Sequence, residues 1–390
     1  MQLSLTDKQR ALRLEYREWL LAHIPRSRLP SMDTLQGFEA HRQWERALHE
    51  GRWSCLTWPN AWAGRDCSLI EWFILEEAYW AAGAPRRVNQ NGIFLLGDAL
   101  LKFGSASLQA QHLPRIASGE AVWAQGWSEP AAGSDVAAVR CLAERQGDHY
   151  VINGQKSWVA RGVWADGLFG LFRTERNALR HQGLSVLLVP LRADGVTIRP
   201  IRQLNGRTGM AHVEFRDVRV PVDQRLGAEG AGWRISLALS SFERGMMLRS
   251  PARFQETARA LLKLYQANHK TLERDASIRD AVVRCAMQAR AYALTAYHAA
   301  CGRLAGMPAS VDGSSAKLFW SELDLRMHET ALRILNEREE GPHRGPHGLE
   351  TDDAAHWLDG FLFAQAGSIY AGTSEVHRNI VAERSLGLPR

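Results

Sequence analysis

The spacing of apolar residues changes twice along this 390-residue chain, near residue 121 and near Gly232. Residues 6–24 carry apolar side chains at helical spacing, and four further runs of that kind precede residue 120. Residues 121–230 instead contain short runs rich in Val, Leu and Phe, and turns separate these runs. Helical spacing then returns. The chain is therefore predicted to fold in the order α, β, α.

These changes predict three domains, and a length of 390 residues allows two or three. We expect an N-terminal α-helical domain over residues 1–120, a middle β domain over 121–230 and a C-terminal α-helical domain over 231–390. Hydrophobic residues make up 45% of the chain, which is enough for a sizeable core. Within the β domain, residues 150–159 predict a hairpin that turns at Asn153-Gly154, a favoured two-residue turn.

The composition excludes several classes of protein. The formal net charge is +6, but the basic residues are dispersed, which argues against nucleic acid and fits a small polyanion such as a nucleotide or coenzyme A. The five cysteines form no C-x-x-C pair, which argues against a zinc site and a disulfide framework and fits a cytoplasmic protein. The first residues lack an apolar signal segment, and no apolar run is long enough to predict a membrane span.

The segment W-S-E-P-A-A-G-S-D, which begins at Trp127, predicts a shaped loop. Pro130 fixes one backbone angle and Gly133 frees another, so the segment suits neither a strand nor a helix. Ser128, Ser134 and the free backbone N–H groups of such a loop can face an anionic or hydrogen-bonding ligand. An ordinary connecting loop is the alternative interpretation.

A second segment, G-Q-K-S-W, follows downstream and ends at Trp158. It presents a large flat aromatic side chain on the same predicted β domain. A tryptophan that simply packs in the core is the alternative. Taken together, the loop and Trp158 are typical of a site that holds a flavin ring.

The α–β–α order combined with these two segments resembles the acyl-CoA dehydrogenases. The resemblance extends to F-R-D-V-R-V-P, which ends at Pro221, and to I-Y-A-G-T-S-E, which ends at Glu375. It implies an α+β multidomain fold with an N-terminal helical domain, a middle antiparallel β-barrel-like domain and a C-terminal four-helix bundle. It also implies FAD as cofactor and the α,β-desaturation of an acyl-CoA thioester. In that reaction a carboxylate takes a proton from Cα, a hydride passes from Cβ to flavin N5, and an electron-transferring flavoprotein reoxidises the flavin.

The resemblance also implies roles for individual residues. Ser128 should hydrogen-bond the pyrimidine edge of the flavin, and Trp158 should cover the ring. Ser134 should touch the flavin pyrophosphate or the thioester arm of the substrate. The backbone N–H of Ala371 should donate to the thioester oxygen, which carries charge in the enolate. The residues expected to bind the cofactor are Gln125, Trp127, Ser128, Ser134, Trp158, Ala160, Gly372, Thr373 and Glu375.

One departure from the family concerns the catalytic base. Ala371 stands where many members have the glutamate of Y-E-G-T, and a methyl group cannot take a proton. Other members carry the base in an E-R pair on the first helix after the β domain, which here is Glu243-Arg244. We therefore predict Glu243 as the base, with a salt-bridged helix residue as the alternative. Arg244 would be structural or would contact the coenzyme A moiety.

Two other departures concern the flavin and the assembly. Ala160 replaces a hydroxyl that many relatives place near flavin N5, so only its N–H remains there. The R-x-x-F-G and Q-x-x-G-G segments that complete a neighbour's site in many homotetramers are missing. This resembles the bacterial branch that handles bulky, branched or sterol side-chain acyl-CoAs, as a homo-oligomer or as α2β2 with a related chain. The alternatives are a non-catalytic or half-site subunit, or a flavin monooxygenase on the same fold.

Two other motifs predict no chemistry. Ser314-x-x-Lys317 matches a serine acyl-enzyme motif, but Ser314 at a helix start is expected to be a routine cap. His343 and His347 are four residues apart, but Gly and Pro between them disfavour a helix, so we expect no metal there.

Overall fold

The computed structural model describes residues 4–243, 249–268, 275–306, 312–336 and 352–389. Within these ranges the elements follow the predicted order of helices, strands and helices. The helices are α1 (Asp7–His23), α2 (Leu35–Glu50), α3 (Leu69–Ala81), α4 (Asp98–Phe103), α5 (Ala106–Ala117), α6 (Gly232–Glu243), α7 (Pro251–Ala267), α8 (Ala276–Leu304), α9 (Asp312–Asn336), α10 (Asp352–Gln365) and α11 (Ser374–Ile380). The strands are β1 (Trp123–Gly126), β2 (Leu142–Gln146), β3 (His149–Ala160), β4 (Gly167–Arg173), β5 (Leu184–Pro190), β6 (Val196–Ile201), β7 (Met210–Pro221) and β8 (Arg225–Leu226).

The chain divides into two compact units that do not follow chain order. The sheet unit comprises Glu15–Ser68 and Ala84–Glu243. The bundle unit comprises Met1–Leu14, Leu69–Gly83 and Arg244–Arg390. The boundaries expected from the sequence, at residues 120 and 230, stay predictions. In the described part of the chain, no helix combines the length and the apolar character that crossing a bilayer requires.

One eight-stranded sheet forms the centre of the sheet unit. Its strand order is β6-β7-β3-β2-β4-β5-β8, and β1 pairs with β4. Most neighbours are antiparallel as predicted, whereas β1 and β2 each run parallel to β4. All seven residues of β4 are buried. The aromatic rings of Phe172 and Phe215 meet edge to face in the core of this sheet, with centroids 5.7 Å apart.

The predicted hairpin at Asn153-Gly154 is wrong, because residues 149–160 form the single strand β3. The register of β3 against β7 shifts between Ile152 and Gly154, which makes the Asn-Gly step an irregularity within the strand. Gly154 has φ +135°, and a Cβ there would lie 2.8 Å from the sulfur of Cys141. The long pairing of β3 with β7 therefore overrides the local turn signal.

The bundle unit has its core between α7, α8, α9 and α10. Phe254, Tyr292, Trp320 and Trp357 are buried in it with the aliphatic residues around them. Pro251 occupies the first turn of α7, where its missing N–H has no cost. The carboxylate of Asp324 accepts a hydrogen bond of 2.7 Å from the guanidinium of Arg253. These contacts agree with the predicted C-terminal helical bundle.

Asp98 makes the stability of the protein depend on pH. It begins α4 after a π-helical turn over Gly92–Gly97, and loss of solvation raises the pKa of its carboxyl from 3.8 to about 7. Between these values the folded state binds more protons than the unfolded state, so this contribution to stability is complete below about pH 4 and disappears as the pH rises through about 7.

We expect Asp98→Asn to remove this pH dependence of the unfolding free energy, because an amide does not ionise. The variant should unfold like the wild type near pH 4 and be more stable by about 2–4 kcal/mol near pH 8. Urea titrations across this range measure the effect, and the exposed Asp194→Asn serves as the matched control. An unfolding free energy that depends on pH in Asp98→Asn as it does in the wild type would contradict this assignment.

Candidate active site

A bulge in β3 turns Trp158 out of the sheet. The register against β7 shifts after Lys156, so that Ser157 and Trp158 together oppose His212. Ser157 Oγ and His212 Nδ1 form a hydrogen bond of 2.8 Å across the bulge. Trp158 has φ +59° and is 61% exposed, and positive φ is rare for so large a residue. An outlier of this kind is typical of functional sites.

The loop that begins at Trp127 is joined to this bulge. The N–H of Ser157 donates to the carbonyl of Ser128 at 2.8 Å. Glu129 and Ala132 exchange two backbone hydrogen bonds of 2.9 and 3.1 Å, so the loop closes on itself. Gly133 is not among the glycines with positive φ, and a Cβ there would meet open space. The closure at Glu129 and Ala132 shapes the loop instead.

A buried ion pair between Lys156 and Glu129 holds the same loop in place. The Nζ atom of Lys156 lies 2.7 Å from Oε1 of Glu129 and donates to the carbonyl of Leu171 at 2.6 Å. The Glu129 carboxylate also accepts the N–H groups of Arg140 and Cys141 at 2.7 and 2.9 Å. One carboxylate thereby ties the loop to β3 through Lys156 and to the backbone that precedes β2 through Arg140 and Cys141.

No role was predicted for Glu129 or Lys156 from the sequence. Glu129 belongs to W-S-E-P-A-A-G-S-D and Lys156 to G-Q-K-S-W, and both side chains are buried, with Lys156 at 0% exposure. A lysine at a buried position of a strand was the available signal, because a buried ammonium requires a partner. The partner lies 27 residues earlier in the chain, so local patterns do not identify it.

Two buried donors lie where β1 passes into the loop, one on the strand and one on the first residue of the loop. Gln125 Nε2 and Trp127 Nε1 have no hydrogen-bond partner among the described residues. Buried donors normally have acceptors, so these atoms fit a ligand with acceptor atoms. An exposed indole face at Trp158 and an exposed hydroxyl at Ser134 complete a surface suited to a flat, partly anionic group. The donor set of the sheet unit therefore fits FAD.

Ala160 is the last residue of β3 and is partly buried. It follows the bulge by two positions and carries only a methyl group. The structure therefore agrees with the expectation that backbone alone is offered at this position.

A tight turn in the bundle unit contains the second group of predicted residues. Ala371 and Gly372 both have left-handed backbones, with φ +56° and +90°. For alanine this conformation costs about 1–2 kcal/mol, so the surrounding contacts must hold it. Thr373 caps α11, because its hydroxyl accepts the N–H of Val376 at 3.2 Å.

His377 is the contact that the sequence analysis missed in this turn. Its ring is fully buried, and Nε2 lies 2.9 Å from the carbonyl oxygen of Ala371. Nδ1 lies 3.0 Å from Oγ of Ser314. Ser314 is the third residue of α9, where the helix begins at Asp312, so its expected role as a routine cap is wrong. Glu375 is largely exposed, and its carboxylate pairs with Arg378 at 3.5 Å.

The predicted base is placed only through its backbone. Helix α6 is described as far as Glu243, and the side chain of this residue lies outside the described part of the structure. Arg244 lies entirely outside the described residues, as do His343 and His347. Among the residues that are described, no group of His, Cys, Asp or Glu is arranged to hold a metal ion.

Family models match almost the whole chain. The acyl-CoA dehydrogenase N-terminal domain matches residues 6–120, the middle domain matches 124–218 and the C-terminal domain matches 230–386. The chain therefore belongs to the acyl-CoA dehydrogenases, a family of oxidoreductases. The predicted α+β multidomain fold is confirmed by these matches.

Individual relatives agree with this membership. Acyl-CoA dehydrogenase IpdE1 of Mycobacterium tuberculosis is 38% identical over 91% of this chain and 90% of its own length. FadE26 of the same organism is 30% identical over 100% of this chain and 99% of its own. Among solved structures, the Tcur3481-Tcur3483 steroid ACAD has a TM-score of 0.86 at 26% identity, and the ChsE4-ChsE5 complex of Mycobacterium tuberculosis has 0.81 at 28%. Each covers 100% of both chains compared.

Proposed function

We propose that this protein binds FAD and introduces a double bond between Cα and Cβ of an acyl-CoA thioester. The observation that carries the proposal is the bulge at Trp158, hydrogen-bonded to a loop at whose start Gln125 and Trp127 hold unpaired buried donors. When bound, FAD supplies the acceptor for the hydride that leaves Cβ. The protein's own residues bind the ring, exclude water and move the proton.

In the proposed site, the residues of the sheet unit bind one part of the cofactor. Trp158 covers the ring, Ser128 and the side chains of Gln125 and Trp127 donate to its polar edge, and Ala160 offers its N–H. Fixed donors of this kind stabilise negative charge on the reduced ring. Ser134 contacts the pyrophosphate or the thioester arm. The family resemblance also assigns Gly372, Thr373 and Glu375 to the cofactor.

Proton removal is assigned to Glu243. Its position on α6, the first helix after the strands, agrees with the E-R pair that the family resemblance assigns as the base in some members, and Ala371 leaves the more common position without a carboxylate. The N–H of Ala371 donates to the thioester oxygen as the enolate forms. Arg244 contacts the coenzyme A moiety. Water is excluded by the aromatic groups around the ring, which keeps the carboxylate basic enough to act near neutral pH.

The proposed substrate carries a bulky, branched or steroid-derived acyl group. Support comes from the similarity to a structure described as a steroid ACAD and to a complex of two different chains, ChsE4 and ChsE5. We further propose that the protein assembles as a homo-oligomer or as α2β2 with a related chain, and that an electron-transferring flavoprotein accepts its electrons.

Purification of the chain alone, and together with a related chain if one is found to bind it, tests which chain binds the flavin. The proposal predicts a yellow protein that loses its flavin absorbance when an accepted acyl-CoA is added without oxygen and regains it with an electron-transferring flavoprotein. A chain that is colourless alone, and inert toward acyl-CoA within a yellow complex, would support the half-site alternative instead. Rapid reoxidation by oxygen with hydroxylated product would support the monooxygenase alternative.

We expect Trp158→Ala to weaken FAD binding, because stacking of a flat ring on an aromatic side chain contributes about 1–3 kcal/mol. This predicts a Kd about 5–150 times higher, with little change in unfolding free energy since Trp158 is mostly exposed. Fluorescence titration of the apoprotein with FAD measures the Kd. Leu179→Ala, also an exposed apolar side chain of the sheet unit, is the control. Equal affinity of Trp158→Ala and the wild type for FAD would show that the indole does not contact the flavin.

A further inference from the structure

Three residues of the bundle unit form a chain of hydrogen bonds that ends on the turn at Ala371. The carbonyl of Ala371 can only accept, so the His377 nitrogen that faces it at 2.9 Å must carry the ring proton. The other ring nitrogen lies 3.0 Å from the hydroxyl of Ser314, which can either donate or accept. The carbonyl therefore decides that Nε2 carries a proton, and the serine holds the orientation of the ring.

The turn itself shows why such a contact is needed. Ala371 holds a left-handed backbone that L-residues other than glycine disfavour. The ring of Tyr370 on one side is stacked on Trp320, with centroids 6.0 Å apart and planes at 29°. On the other side the carbonyl of Ala371 is held by His377. These two anchors flank the Tyr370–Ala371 peptide, which carries the Ala371 N–H, and this N–H has no hydrogen-bond partner among the described residues.

Gly372 is fitted to the same histidine. Its φ of +90° suits glycine, and a Cβ at this position would lie 2.8 Å from Nε2 of His377. A larger residue would push the imidazole away from the carbonyl. The sequence A-G at 371–372 and the histidine at 377 therefore form one unit.

We propose that His377 is a positioning residue that aims the Ala371 N–H at the oxygen of the substrate thioester, with Ser314 holding the orientation of its ring. The inference rests on the proposed function and adds to it the residues that prepare the donor. His377 touches neither substrate nor flavin in this account, and it acts through the backbone of Ala371. Donors that are fixed before the reaction stabilise an enolate oxygen far better than donors that must reorient.

The test uses acetoacetyl-CoA, a thioester whose Cα proton is acidic enough to titrate in water. FAD-loaded protein, in its native assembly, is saturated with acetoacetyl-CoA, and the ultraviolet absorbance of the bound enolate is followed against pH. The wild type should bind the enolate and lower the pKa of the ligand relative to free acetoacetyl-CoA. His377→Ala should raise that bound pKa by at least about one unit, a tenfold loss of enolate stabilisation.

Two further variants separate positioning from mere stability. His377→Gln should retain most of the effect, because its amide can donate to the Ala371 carbonyl and accept from the serine. Ser314→Ala should raise the pKa of the bound ligand by less than His377→Ala does, and both variants should keep their FAD. If His377→Ala does not fold, Ser314→Ala carries the test.

An unchanged pKa of bound acetoacetyl-CoA in these variants would overturn the inference, even if their melting temperatures fall, since the hydrogen bonds would then serve stability only. That outcome leaves the proposed function intact as long as the wild-type flavin is reduced by an acyl-CoA. A wild-type flavin that no acyl-CoA reduces would overturn the proposed function. A wild type that binds acetoacetyl-CoA without forming its enolate would overturn the inference.

Discussion

The variant Glu243→Gln is expected to reduce the rate of flavin reduction by an acyl-CoA substrate by about 10²–10⁴-fold while FAD stays bound. Glutamine has nearly the same size and shape as glutamate, but its amide cannot accept the Cα proton. The remaining machinery should still bind the thioester, so the substrate concentration for half-saturation should change little. Anaerobic stopped-flow measurement of flavin absorbance gives the rate directly.

A matched control tests whether loss of a helical carboxylate alone explains the result. Glu256→Gln, on helix α7, removes a carboxylate that pairs with Arg259 on the protein surface. We expect flavin reduction in this variant to proceed at close to the wild-type rate, because surface ion pairs contribute little. Wild-type kinetics in Glu243→Gln would show that the base lies elsewhere or that this chain does not perform the proton transfer.

The second large effect is expected in Lys156→Met, which should lower the unfolding free energy by about 3–5 kcal/mol. The substitution leaves the buried Glu129 carboxylate without its partner ammonium, which lies 2.7 Å away. It also removes the donor to the carbonyl of Leu171. Because Glu129 holds the loop at Trp127 in place, we expect FAD content to fall together with stability. Urea unfolding and the ratio of flavin to protein absorbance measure the two effects.

The double variant Glu129→Gln with Lys156→Met shows the cause of this loss. If an uncompensated buried charge is responsible, the double variant should lose less stability than the two single variants add up to. Lys263→Met, at an exposed position of α7, should change the unfolding free energy by less than about 0.5 kcal/mol. A loss below about 1 kcal/mol in Lys156→Met would mean that the ion pair does not hold the loop.

The sequence predicted the order of elements because helical and strand spacing are local properties of the chain. It misjudged Asn153-Gly154 because the same dipeptide that forms a hairpin turn can also form a bulge. Which of the two forms is decided by pairing with β7, where Gly154 lies opposite Phe215, 61 positions later in the chain. Tertiary pairing of this kind leaves no trace in a local window.

In the candidate site too, the segments could be predicted from local sequence, whereas the contacts that hold them could not. Motifs identified the loop and the C-terminal turn, since these are contiguous segments with unusual Gly and Pro content. The residues that fix them, Lys156 for the loop and His377 for the turn, reach their partners through the folded core. His377 stands six residues after Ala371, yet only the tight turn at 371–372 brings its ring back to that carbonyl. Packing of this kind requires coordinates.

The central claim is that this protein removes two hydrogens from an acyl-CoA thioester. Anaerobic titration of the FAD-loaded protein with straight-chain, branched and steroid-derived CoA thioesters, followed by mass spectrometry of the thioester, tests it most directly. We expect at least one thioester to reduce the flavin and to be converted to the 2,3-enoyl-CoA, with one molecule formed for each flavin reduced. A flavin that stays oxidised with every class, or a flavin reduced without loss of two hydrogens from the thioester, would contradict it.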